Sequence, residues 1–370
     1  MILKQHPLTR INTNCLSSIN EKYSTCVKTK FDGTHCIASE DAAVLYEQNG
    51  YGRLERDGRL RLEPCEALYL EARGKIELEG HTFNTLLAAC TKDPSFLRNF
   101  IVYRDIRERG YVITVGHTDK KQNASKSTAF FRIFPRGQRP GKGNSRFLLR
   151  VLSERDLIDF SLLIRDTKTA ANMRKQLVLA VLDDEHELTY YGVRLPVLTP
   201  RKAQEITPGI KAHLTGVPAF VEGKSISELQ KNWFGTMMDL SRLYLSPLET
   251  AWLLREGYLT LDAELNPDEY ETLGKESDAE FSLKLKLFTY FKSLGFYPRS
   301  GYKYGHHFRV YTDEDNHSEM LAHAIPSGTV SSMEEISRSV RLAHSVKKRI
   351  LFMSITDDEI IPIEFARIKM

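Results

Sequence analysis

No run of about 18 apolar residues occurs in this chain of 370 residues, so no membrane-spanning helix is expected. The first 30 residues are polar and mixed, without the apolar core of a secretory leader. Cysteine is scarce: five, at 15, 26, 36, 65 and 90, with no CxxC pair. An odd count without a leader points to free thiols in a reducing, cytoplasmic compartment rather than a disulfide framework. Cys15, Cys26 and Cys36 with His35 could hold a zinc ion, but plain thiols are the preferred reading. The basic, glycine-containing stretch from Arg136 to Lys142 lacks GxxxxGK[ST] spacing, which excludes a P-loop and leaves a hairpin. Charge of one sign is also lacking. The net charge is only +4, so the chain as a whole does not announce a nucleic-acid partner. Of the two tryptophans, Trp252 reads as core.

Local charge says more. From Arg338 to Arg349 there are five Lys or Arg, one His and no acid. The chain also repeats itself. Asn49-Gly50-Tyr51-Gly52 matches Asn232-Trp233-Phe234-Gly235 at a spacing of 183 residues, which also carries Pro64, Glu66, Leu70, Gly74 and Leu78 onto identical residues. Downstream, Phe131-Arg132-Ile133-Phe134 matches Phe308-Arg309-Val310-Tyr311, and Asn144-Ser145 matches His317-Ser318. Met173-Arg174-Lys175 matches Lys347-Lys348-Arg349. A repeat this long is a duplicated multi-element domain, not a solenoid unit.

The expected fold is α+β, a tandem duplication. Each repeat has a small α+β N-terminal unit followed by a mixed sheet flanked by helices. Residues 1–33 read as a polar lead-in with room for an edge strand, 34–94 and 218–280 as the N-terminal units, and 198–217, with its prolines, as a linker. Residues 95–197 and 281–370 hold the larger units. Pro64 and Pro247 stand at first helical positions, and Gly74 and Gly257 stop those helices. Ser332 and Glu335 form a capping box opening a helix through about Lys347. Phe308–Tyr311 and 320–325 alternate as a hairpin pair.

Tyr311, His317 and Lys348 carry the candidate chemistry. Tyr311 ends one strand, His317 opens the next across a turn, and Lys348 ends the capped helix. In RNA a 2′-hydroxyl can attack its own phosphate. That step needs a base, an acid for the leaving 5′-oxygen and a cation for the developing charge. Tyr311 suits the base if a cation such as Lys348 lowers the ordinary phenol pKa of ~10. His317 suits the acid, and no metal or other cofactor is required. The first repeat has Phe134, Asn144 and Arg174 in these places, so it loses both proton-transfer groups. Arg341 lies seven residues before Lys348, two turns back on one helical face.

Gly301-Tyr302-Lys303-Tyr304-Gly305, Phe308-Arg309-Val310-Tyr311, His317-Ser318-Glu319 and Val340 to Lys348 resemble the archaeal tRNA-splicing endonucleases in their two-repeat form. The resemblance implies a restriction-endonuclease-like catalytic repeat, a homodimer, and cleavage of precursor tRNA at a bulge-helix-bulge without metal. It places Tyr311, His317 and Lys348 at the catalytic positions and gives 2′,3′-cyclic phosphate and 5′-hydroxyl ends. RNA contacts are expected from Arg341, His344, Lys347 and Arg349. An acidic loop, Asp183-Asp184-Glu185 onward, is expected at the dimer contact. The family pairs the Arg341 position with a tryptophan near the C-terminus; here Ile361-Pro362-Ile363 has none.

Two other readings compete. A metal-dependent restriction-type DNA nuclease would use Asp313, Glu314 and Asp315 near Tyr311, although no strand-borne Glu-x-Lys follows. A non-catalytic RNA-binding scaffold would explain the basic helix. It would not explain why one repeat alone keeps all three reactive groups. His306 and His307 are expected to be exposed turn residues.

Overall fold

The computed structural model describes residues 26–115, 131–202, 205–312 and 317–370. Cys15, Asp313, Glu314, Asp315 and most of the expected lead-in lie outside them. The described chain divides into two compact units.

In the smaller unit a five-stranded sheet runs in the order Arg53–Leu54, Leu60–Leu62, Cys36–Ala38, Val27–Phe31, Ile76–Glu79. The helix Pro64–Ala72 starts at proline and leads from Leu60–Leu62 to Ile76–Glu79, which lies parallel to Val27–Phe31. Glu66 is buried inside it. Its carboxylate accepts the backbone N–H groups of Gly52 (3.1 Å) and Glu63 (3.0 Å), tying the helix start to the Asn-x-x-Gly turn. Burial pushes the Glu66 carboxyl up, with Arg107 opposing.

The larger unit holds the second copy of this plan. Its strands run in the order Thr236–Met237, Arg242–Leu245, Ala219–Glu222, Ile210–Leu214, Leu259–Leu261. Glu249 repeats the role of Glu66, accepting from Gly235 (3.0 Å) and Ser246 (2.8 Å). The glycines closing these turns, Gly52 and Gly235, have φ of +65° and +70°. A Cβ there would stand 2.6 Å from the Arg61 carbonyl oxygen and 2.7 Å from that of Tyr244, so the identical residues are sterically required.

Two expectations change here. Val27–Phe31, in the lead-in where an edge strand was expected, is an interior strand paired on both sides, and Ile210–Leu214, placed in the linker, is its counterpart. Both alternate polar residues on their open face, and the second lies between prolines, so their period-2 signal is thin.

Beside a separate two-stranded ribbon of Val330–Ser332 and Leu157–Asp159, the rest of the larger unit is built around one mixed sheet. Its strands run Tyr297–Ser300, Phe308–Tyr311, Met320–Pro326, Arg349–Ile355, Ile360–Ile368, Leu188–Arg194, Gln176–Leu182, Phe147–Ser153, Phe131–Phe134. The two repeats thus share a sheet, joined by the antiparallel pair Leu188–Arg194 and Ile360–Ile368. The helices Phe160–Asn172 and Met333–Ser345 contribute to one core over this junction, where Phe160 packs on Phe352 at 5.4 Å. At the seam, buried Glu364 binds Arg194 (2.6 Å) and Arg349 (2.5 Å), one arginine from each repeat.

Candidate active site and its relatives

Ser332 caps the helix Met333–Ser345 by accepting from the Glu335 N–H at 3.2 Å, and Glu335 completes the capping box. The buried stripe Ile336, Val340 and Ala343 fixes the helix on the sheet. The helix ends three residues before Lys348, and the chain reverses at Lys347, whose φ is +56°. The Lys348 N–H then closes the turn on the Ala343 carbonyl at 2.8 Å. Lys348 therefore sits in the helix-to-strand connection, not on the helix, and does not share a helical face with Arg341.

The segment from His317 to Glu319 gathers the three candidate residues. The Glu319 N–H donates to the Val310 carbonyl (3.1 Å), next to Tyr311. The Glu319 carbonyl accepts from the Arg349 N–H (3.1 Å), next to Lys348. The Lys348 ammonium donates to the carbonyl of Ser318, which adjoins His317. The end of Phe308–Tyr311, the His317 segment and the start of Arg349–Ile355 are thus laced together, with Met320–Pro326 running between those two strands. His317 is exposed, Lys348 half-buried and Tyr311 buried. The Tyr311 ring packs on Trp233 at 4.7 Å, and Trp233 packs on Tyr297 at 5.5 Å.

The first repeat corrects the sequence alignment by one residue. Arg174 has φ +56° and donates to Ala171, as Lys347 does to His344; Lys175 donates its N–H to Ala170, as Lys348 does to Ala343. The Lys175 ammonium donates to the Ser145 carbonyl at 3.1 Å, the counterpart of Lys348 on Ser318. The counterpart of Lys348 is therefore Lys175, not Arg174. The first repeat keeps the cation and lacks only the phenol and the imidazole.

The expected RNA-contacting residues separate. Arg341, His344 and Lys347 are exposed around the C-terminal half of the capped helix. Arg349 departs from the expectation, since its guanidinium is held by Glu364. Burial alone would raise the Glu364 carboxyl, but the bonds from Arg349 and Arg194 more than offset it and hold it below the usual range. In the hairpin turn after Leu182, Asp183 accepts the N–H groups of Glu185 (3.0 Å) and Glu187 (2.8 Å), Asp184 pairs with Arg155, and Glu185 is exposed.

His306 and His307 are not exposed turn residues. His306 is 5% exposed, and His307 stacks on His323 at 4.1 Å while its Nδ1 accepts the Ala324 N–H at 3.0 Å. Burial, then the neighbouring histidines, pushes His306 down to about 4. Among the described residues no group of three His, Cys, Asp or Glu side chains is disposed to hold a metal ion. Cys26 donates to the Gly74 carbonyl, and Cys36 is a buried thiol pushed up to about 12. Trp252 lies in the core, as expected. No described helix is long and apolar enough to cross a membrane.

Trp233 is the residue that sequence reasoning left without a role. The available signal was its place opposite Gly50 in the repeat.

Comparison with known proteins bears on all of this. The model of the tRNA intron endonuclease catalytic C-terminal domain matches residues 96–190 and 281–362. That of the N-terminal domain of the same family matches 27–87 and 210–271. The tRNA-splicing endonuclease of Methanococcoides burtonii is 36% identical over 344 residues, 88% of this chain and 95% of the relative. That of Methanosarcina acetivorans is 34% identical over 364 residues, covering 93% of this chain and all of the relative. That of Natronomonas pharaonis is 32% identical over 345 residues, 89% of this chain and 95% of the relative. The chain belongs to the tRNA intron endonuclease family and carries both of its domains twice.

Proposed function

We propose that this member of the family, whose activity is the excision of introns from precursor tRNA, cuts by intramolecular attack of a ribose 2′-hydroxyl, with Tyr311, His317 and Lys348 as its reacting groups. The observation that carries this reading is the lacing of Ser318 and Glu319 to the Tyr311 and Lys348 segments.

Tyr311, as phenolate, takes the 2′-hydroxyl proton while the 2′-oxygen bonds to phosphorus. His317, as imidazolium, gives its proton to the 5′-oxygen as the P–O5′ bond breaks. Lys348 stabilises the charge that gathers on the non-bridging oxygens. The products are a 2′,3′-cyclic phosphate and a 5′-hydroxyl. The cavity of about 610 Å³ in this unit is lined by Lys284, Arg299, His306 and His307 among others and includes none of the three. Of the three, His317 alone is exposed, so the acid is the group a folded RNA meets first on the surface.

The catalytic repeat is read as a restriction-nuclease-like fold. The active form is read as a homodimer in which the Asp183–Glu187 turn meets a basic surface of the second copy. Arg341, His344 and Lys347 would then meet phosphates flanking a bulge. A precursor tRNA with a bulge-helix-bulge should be cut at both junctions, and the same RNA with its bulges paired should be spared. Equal cutting of the two RNAs would contradict the bulge reading.

A further inference from the structure

The Asn-x-x-Gly turn occurs in both N-terminal units with the same backbone and different second residues. Gly50 has φ +67° and Trp233 has φ +62°. Glycine enters this left-handed region without penalty, whereas a tryptophan there is strained. A strained residue persists where its surroundings hold it, and such residues gather at functional sites.

The surroundings do hold it. Arg299 donates to the Trp233 carbonyl at 2.9 Å and to the Gly235 carbonyl at 2.9 Å, and it pairs with buried Glu249 at 2.9 Å. The indole packs against the cross-strand pair Tyr297 and Tyr311, with the Tyr311 ring at 4.7 Å and tilted by 43°. The first repeat has glycine in place of the tryptophan and Phe134 in place of the phenol. It also has its own guanidinium on the turn: Arg107 donates to the carbonyls of Asn49 (2.9 Å) and Gly50 (3.1 Å). The turn itself is therefore built without an indole. The indole accompanies only the copy with a hydroxyl to aim.

We infer that Trp233 is a positioning residue for Tyr311, through which the N-terminal unit of the second repeat sets the plane and reach of the phenol. The inference rests on the reading of Tyr311 as the base. A ring packed this closely against an indole cannot swing without losing that contact, and displacements near 1 Å at a reacting group can cost ~10²-fold in rate. Trp233 touches no reacting atom in this account.

The test uses the full chain and an intron-containing precursor tRNA, with single-turnover rates at saturating enzyme, a binding isotherm and thermal melts. Trp233→Gly installs the residue of the first repeat and relieves the backbone. It should slow cleavage ~10-fold to 10²-fold with affinity within ~3-fold. Trp233→Phe keeps a ring and should stay within ~3-fold of wild type. If Trp233→Gly fails to fold, Trp233→Leu takes its place, with the same slowing expected. In a Tyr311→Phe background, Trp233→Gly should add little, because the group it aims is gone. The inference is overturned if Trp233→Gly, folded, cuts at the wild-type rate, or if it slows the Tyr311→Phe enzyme by the same factor. If Tyr311→Phe itself cuts at full rate, the reading of Tyr311 as base fails, and the role inferred for Trp233 falls with it.

Discussion

Replacing His317 with alanine is expected to slow cleavage of precursor tRNA by ~10²–10⁴-fold, the usual contribution of one positioned proton donor. Affinity for the RNA should change by less than ~3-fold. The two effects should separate because His317 is exposed and contributes nothing to the core, so its loss leaves the basic surface of Arg341, His344 and Lys347 intact. The measurement is a single-turnover rate at saturating enzyme beside a binding isotherm on the uncut precursor. Parallel loss of rate and affinity would make His317 a binding residue and leave the leaving group without an acid.

The second large effect concerns the seam. Glu364 is 2% exposed and receives Arg194 from one repeat and Arg349 from the other. Removing one partner of a buried ion pair leaves the others without compensation. The arginine side chains here are 61% and 40% exposed, so water recovers part of that loss. Glu364→Ala should therefore cost roughly 2–3 kcal/mol, below the full range for a buried pair. Denaturant unfolding followed by far-UV circular dichroism gives the number. The sign with pH follows from the lowered carboxyl. The folded value lies below the ordinary 4.5, so the stabilisation is present above about pH 4.5 and is lost as pH falls through the folded value. The gap between wild type and Glu364→Gln should close on acidification. A gap that widens in acid would mean that the carboxylate is not stabilised by the arginines.

Much of this architecture is legible in the sequence, and the misses have physical causes. Prolines at first helical positions, glycines past the last turn and the Ser332–Glu335 box mark helices by backbone chemistry alone, and those helices lie where expected. Ile210–Leu214 was missed because a strand with one polar face between turn residues resembles a linker, and for the same reason Val27–Phe31 looks like an edge strand rather than an interior one. The shift between Arg174 and Lys175 arose from aligning basic runs by charge. The left-handed residue that ends each helix fixes the register, and composition does not reveal it. His306 and His307 look like turn residues beside Gly305; only the stacking on His323, a strand away, shows them buried. At the shared sheet the Glu364 clamp joins partners 170 and 15 residues away, a pairing that no local pattern reveals.

The catalytic claim meets its most direct test in the ends of the cut RNA. An intron-containing precursor is incubated with the enzyme in excess chelator, and the fragments are analysed for terminal groups. The account predicts full cleavage with 2′,3′-cyclic phosphate on the upstream fragment and 5′-hydroxyl on the downstream one. Cleavage that stops in chelator, or that leaves 3′-hydroxyl and 5′-phosphate ends, would contradict it.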